Sequence, residues 1–107
     1  MKNLSALSDQ EKEQLLRYLG KIYRRGIRYV KTGWRNVIDP HDEGADMEVA
    51  AKIRLILRTM DHDEALILYH DFFEIQARDW WRKEYSVRMY KKCKQAAMNQ
   101  LLNQLYQ

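Results

Sequence analysis

With a single cysteine, Cys93, the chain has neither an internal disulfide nor a paired-thiolate site, which fits a reducing compartment. It has one proline and four glycines in 107 residues, no glycine-rich phosphate loop and no Ser-His-Asp order. No apolar stretch approaches the roughly 20 residues that cross a bilayer. The opening MKNLSALSDQEKEQLL lacks the apolar centre of a signal peptide, so a cytoplasmic protein without membrane contact is expected. Repeats, low-complexity segments and convincing strands are missing too; RLILRTM and ALILYHDFF are short enough for strands, but their length and caps favour helix.

What is there suits a compact all-α protein: 46% hydrophobic and 32% charged residues. The length fits one domain, here residues 1–107, with a long basic helix (1–38), a helix over 46–60 and a helix-turn-helix-like unit over 61–107. The net charge of +4 hides a division along the chain. Residues 1–38 carry nine Lys/Arg against three Asp/Glu, residues 39–79 four against eleven, and residues 80–107 six against one. Two basic regions flank an acidic middle, which either holds them in place or keeps them off the wrong surface.

About five helices are expected. Ser8 with Glu11 forms a capping box for the first, running to about Arg35 with Leu15, Leu16, Leu19, Ile22, Tyr23, Ile27, Val30 and Trp34 on one face. Gly20, Gly26 and Gly33 each cost about 1 kcal/mol relative to Ala, so a bend or break near Gly26 or Gly33 is expected. Pro40 ends that helix. The second starts near Asp46, with Val49, Ile53, Ile56, Leu57 and Met60 inward. Asp61 caps the third, with Glu64 in the box position and Leu66, Ile67, Tyr69, His70 and Phe73 on its apolar face. A short fourth holds Trp80, Trp81 and Tyr85; one tryptophan should fill the core and the other lie at the edge, on the first helix or partly exposed. Ser86 caps the fifth, which turns Tyr90, Cys93, Ala97, Met98, Leu101 and Leu105 inward.

Two cationic stripes invite a functional reading. On the first helix Arg17, Lys21, Arg24, Arg28, Lys31 and Arg35 recur every three or four residues without an acid among them. Such a stripe either docks on the acidic middle or contacts an external polyanion, as phosphate or partner contacts. On the last helix Arg88, Lys91, Lys92, Gln95 and Asn99 point away from the apolar face, with Arg82 and Lys83 just before it. Arg and Lys contact phosphates or guanine, and Gln and Asn pair with adenine edges, so this helix suits a duplex groove.

The order DEALILYHDFF, ARDWWRKEY, SVRMYKKCKQAAMNQLL resembles the region-four DNA-binding domain of bacterial sigma factors: support helix, positioning helix and Ser-started recognition helix. It is more similar still to small phage-type transcription regulators of the autolysin-regulator (ArpU-like) kind, in which an aromatic helix meets a Tyr-Ser step and a further helix. The matching residues are Tyr85, Ser86, Tyr90, Lys91 or Lys94, and Ala97. The resemblance implies a DNA-binding transcription regulator. It covers about 45 of the 107 residues and departs from the sigma pattern in having no glycine before the recognition helix.

Each histidine precedes an aspartate, in His41-Asp42, His62-Asp63 and His70-Asp71, a dipeptide that metal-dependent phosphohydrolases use as ligands. Two of these pairs sit at expected helix starts, where Asp caps, and such enzymes are normally larger. No catalytic residue, cofactor or metal is therefore expected, and Cys93 reads as a small apolar core residue. Duplex DNA is the expected partner. RNA shares the electrostatics, and the alternative is a protein-interaction module that binds an acidic partner or forms a homodimer.

Overall fold

The computed structural model describes residues 6–32 and 40–106. Regular structure there is helical throughout: α1 (Asp9–Thr32), α2 (Pro40–Thr59), α3 (His62–Leu68) running on into a π turn (Tyr69–Phe73), a 3₁₀ turn (Trp80–Lys83) and α4 (Val87–Leu105). RLILRTM and ALILYHDFF fall in the end of α2 and in α3 with its π turn.

The expected capping box starts α1: the Ser8 N–H donates to Glu11 Oε1 at 2.9 Å and the Glu11 N–H to Ser8 Oγ at 3.1 Å. Leu16, Leu19 and Tyr23 are buried, and Leu15 and Ile27 pack beside them. The helix passes unbroken through Gly20 and Gly26; Gly33, the other place where a bend or break is expected, lies with Trp34 and Arg35 outside the described residues, as do the side chains of Val30 and Lys31. These two glycines serve packing. A Cβ on Gly20 would stand 2.1 Å from the Phe72 carbonyl oxygen, and one on Gly26 2.4 Å from that of Asp46. Bare backbone lets α2 and the π turn close on α1, which outweighs the poor helix propensity of glycine.

Pro40 opens α2, so that helix starts before the expected Asp46. Proline lacks the N–H that a first helical residue leaves unbonded, and its φ is already helical. Ala50, Ile53 and Met60 are buried on this side, with Val49, Ile56 and Leu57 against them. At Asp61 the carboxylate caps α3 by accepting from the Asp63 N–H at 3.2 Å. The wider π turn then shifts the helical phase, so that Phe72 and Phe73 are both buried along with Ile67 and Leu68. Leu68 and Phe72 are buried, whereas Leu66, Tyr69 and His70, expected on the apolar face, are half-buried.

Where a fourth helix was expected there is one 3₁₀ turn. Its bonds run from the Arg82 N–H to Asp79 O and from the Glu84 N–H to Trp81 O. It stops because Ser86 takes an extended conformation (φ −71°, ψ 159°) and caps α4 through Oγ, which accepts from the Met89 N–H at 3.1 Å. Ala97, Met98, Leu101 and Leu102 are the buried residues of α4. Trp81 fills a second, smaller core with Ile67 and Tyr85, stacked on the Tyr90 ring at 4.1 Å. Trp80 is half-buried, with its edge on His70 and Tyr85 rather than on α1.

Gly20→Ala should therefore destabilise the protein by about 1–3 kcal/mol, the usual range for overpacking, despite alanine's better helix propensity. Urea unfolding of the variant checks this, and unchanged or increased stability would refute the close approach of Phe72.

Candidate nucleic-acid interface

The start of α4 sits where two polar systems meet, one inward and one outward. Inward, the Lys94 ammonium lies 2.8 Å from Glu13 Oε1 on α1 and 3.2 Å from Asp71 Oδ2 on the π turn. It also donates to the Tyr90 hydroxyl at 3.3 Å and covers the Phe72 ring at 5.2 Å. Burial alone would lower the Lys94 pKa, but the bond to Glu13 and the charge of Asp71 outweigh it, and the net shift is upward. Asp71 also accepts from Trp80 Nε1 at 2.9 Å and from the Tyr90 hydroxyl. The Tyr85 hydroxyl donates to Asp63 Oδ1 at 2.5 Å. Two aspartates of the His-Asp pairs thus hold aromatic side chains in place. Among the described residues no three His, Cys, Asp or Glu side chains gather as a metal site would need.

Outward, Arg82 and Lys83 on the 3₁₀ turn and Arg88, Lys91 and Lys92 on α4 are all exposed. The Arg82 guanidinium lies over the Trp81 ring at 5.1 Å, which holds it beside the turn. Lys83, Arg88, Lys91 and Lys92 make no ion pair or side-chain hydrogen bond among the described residues.

The amides of the same stripe go elsewhere. Gln95 Nε2 donates to Asp9 on α1, and Asn99 Oδ1 accepts from Lys12 Nζ at 2.7 Å. The α1 start, with Asp9 and Glu11 in its first turn, thus lies against the second half of the stripe. Gln95 remains exposed and Asn99 is half-buried. Helical periodicity puts all five residues on one side, but it contains no information about which neighbouring helix reaches part of that side.

The α1 stripe also divides. Arg24 Nη1 donates to the Phe72 carbonyl at 2.7 Å, closing the carbonyl end of the π turn. Arg17 pairs with Glu13 at 3.6 Å, Lys21 is exposed, and Arg28 is engaged. Arg35 and the Lys31 side chain lie outside the described residues. Among the described residues the acidic middle meets the basic regions through Asp71 with Lys94 and through Asp46, which pairs at 3.2 Å with Arg25, off the stripe. The spacing of Gly20 and Arg24, one turn apart, was the sequence signal for the Phe72 contact, legible only once Phe72 is known to cross there.

No family model matches the chain, and neither does any curated protein or solved structure. No helix among the described residues is long and apolar enough to cross a membrane.

Neighbouring lysines should respond oppositely to truncation. Lys94→Ala strands the Glu13 and Asp71 carboxylates and should cost about 2–3 kcal/mol, whereas Lys92→Ala should stay within about 0.5 kcal/mol. Chemical denaturation of the two variants separates them, and equal effects would remove Lys94 from the core network.

Alkali should unfold the protein through its phenols. The hydrogen bond to Glu74 lifts Tyr69 from 10.0 to about 12, burial and then Asp71 lift Tyr90 to about 12, and burial with Asp63 raises Tyr85 further. A pKa higher in the folded than in the unfolded chain contributes stability that is complete below about pH 10 and fades as pH rises towards 12. Tyrosinate absorbance and helical circular dichroism, followed together through this window, should change in concert. Full ionisation of all phenols near pH 10 with the helix signal intact would contradict these bonds.

Proposed function

We propose that the chain binds duplex DNA as a transcription regulator, contacting it through the 3₁₀ turn and the first half of α4. The supporting observation is that Lys83, Arg88, Lys91 and Lys92 stand exposed and unpaired among the described residues, while Lys12, Arg24, Arg25 and Lys94 are all engaged within the fold. Uncompensated cations clustered at one helix start favour phosphates, since each contact releases counterions from the duplex. Arg88 and Lys92 would reach guanine edges and the others phosphates. Gln95 and Asn99 contribute less to base reading than their spacing suggests, because α1 holds them. The acidic first turn of α1 beside them repels the phosphate backbone there and limits the contact to the first half of the helix. The order DEALILYHDFF, ARDWWRKEY, SVRMYKKCKQAAMNQLL also resembles that of the ArpU-like regulators and the sigma region-four domain, although their short middle helix is here a 3₁₀ turn. On the α1 stripe, Lys21 is left to add a phosphate contact, a minor term.

Fluorescence anisotropy on a random duplex at two salt concentrations tests this reading. Affinity should fall with a log–log slope of about −0.9 per phosphate neutralised, and Arg82→Gln, Lys83→Gln and Lys91→Gln together should flatten that slope by about 0.9 per contact removed. On a site selected from random DNA, Arg88→Ala should cost about 1–3 kcal/mol, and much less on random duplex. No binding at low salt, or a triple variant that binds as the parent does, would leave the cations to an acidic protein partner or a second copy of the chain.

A further inference from the structure

On the side formed by α1, α2 and α3 an open cleft of about 830 Å³ runs between Tyr23, Ile27, Leu57, Leu66, Phe73 and Ile75. A second hollow of about 310 Å³ continues it over Met47, Ala51 and Leu55, the two sharing Ile27, Arg54 and Arg58. Together they make one elongated trough. Among the described residues the apolar surface of its rims is left open: Leu55 is 63% and Ile75 60% exposed. Isolated exposed apolar residues need no explanation, but here they border a trough lined by Tyr23, Ile27, Leu57 and Phe73 between the arginines, as at surfaces that receive another chain.

The charge of the trough is one-sided. Arg54 and Arg58 line both hollows and make no ion pair or hydrogen bond among the described residues. His62 stands at the same edge, and the one lining carboxylate among the described residues, Glu74, already accepts from the Tyr69 hydroxyl at 2.5 Å. The geometry points to a binding site for an acidic amphipathic helix of a partner protein, its apolar side in the trough and its carboxylates on Arg54 and Arg58. A duplex fits poorly, because phosphates would lie against Leu55 and Ile75. A compact metabolite would occupy one hollow and leave the other, with Leu55, uncovered. A helix with apolar residues at i, i+3 or i+4, and i+7 spans both, and acidic flanks complement the two free arginines. The trough shares no residue with the proposed DNA surface, so this inference does not rest on that one. A regulator with both would bind its target and a protein at once.

Selection from a displayed library of helical peptides against the full chain tests the inference. Enriched sequences should combine an apolar stripe with Asp or Glu beside it, and one such synthetic peptide should perturb the amide resonances of Tyr23, Leu57, Leu66 and Tyr69. Arg54→Glu with Arg58→Glu should weaken it tenfold or more while leaving anisotropy on random duplex within about twofold, and Leu66→Asp should weaken it similarly. Enrichment of nothing or of peptides without acidic residues, perturbations mapping to Arg88–Lys92, or an affinity indifferent to the charge reversal would each overturn it. Loss of duplex binding in the parent protein would count against the DNA reading alone.

Discussion

One half-buried ammonium ties the fold together. Lys94 joins α1 through Glu13 and the π turn through Asp71, over the Phe72 ring and beside the Tyr90 hydroxyl. Three segments distant in sequence thus share one charge, and none of the four groups is well placed without the others. A single cation among two carboxylates offsets part of their desolvation, and the Tyr90 and Trp80 donors on Asp71 add to its hydrogen bonds. The position of Trp81 follows from this, because it stacks on the ring whose hydroxyl Asp71 holds.

The same arrangement decides which charges face solvent. Lys94 and Arg24 are turned to internal acceptors, and Arg25 meets Asp46, so cations of the two basic regions serve inside the fold. Exposed cations stand at the α4 start and on α2, with Lys21 on α1 and Arg78 ahead of the 3₁₀ turn. Charge on this protein is therefore spent in two ways: as cross-links between helices, and as exposed surface free to meet a partner. The first kind fixes where the second stands. α1, anchored by Lys94 and Lys12, brings its acidic first turn against Gln95 and Asn99 and so divides the polar side of α4 into an open half and an occupied half.

Close approach is the second constraint. Helix α1 meets the Phe72 and Asp46 carbonyls at Gly20 and Gly26, with no room for a side chain. Arg24, one turn beyond Gly20, uses that approach to satisfy the Phe72 carbonyl. A glycine read by propensity alone marks a weak point in a helix; here each marks a crossing.

Much of this architecture was legible in the sequence because it depends on near neighbours. The Ser8–Glu11 box, the Asp61 and Ser86 caps, the helical class and the inward positions of α1, α2 and α4 all follow from interactions within one turn or from a 3.6-residue period. The two cationic stripes were legible for the same reason. What periodicity does not contain is the identity of the surface opposite, because that is set by residues distant in the chain. Packing therefore decided that Gly26 continues a helix, that a π turn buries Phe72 with Phe73, and that the Trp80–Lys83 segment closes as a 3₁₀ turn. It also decided that Arg24 is a cap rather than a free cation and that α1 holds Gln95 and Asn99. A helix carries its own hydrogen bonds and its own amphipathic pattern, so sequence determines its existence and its faces; which neighbour covers each face depends on how all the helices pack at once, and only the tertiary structure decides that.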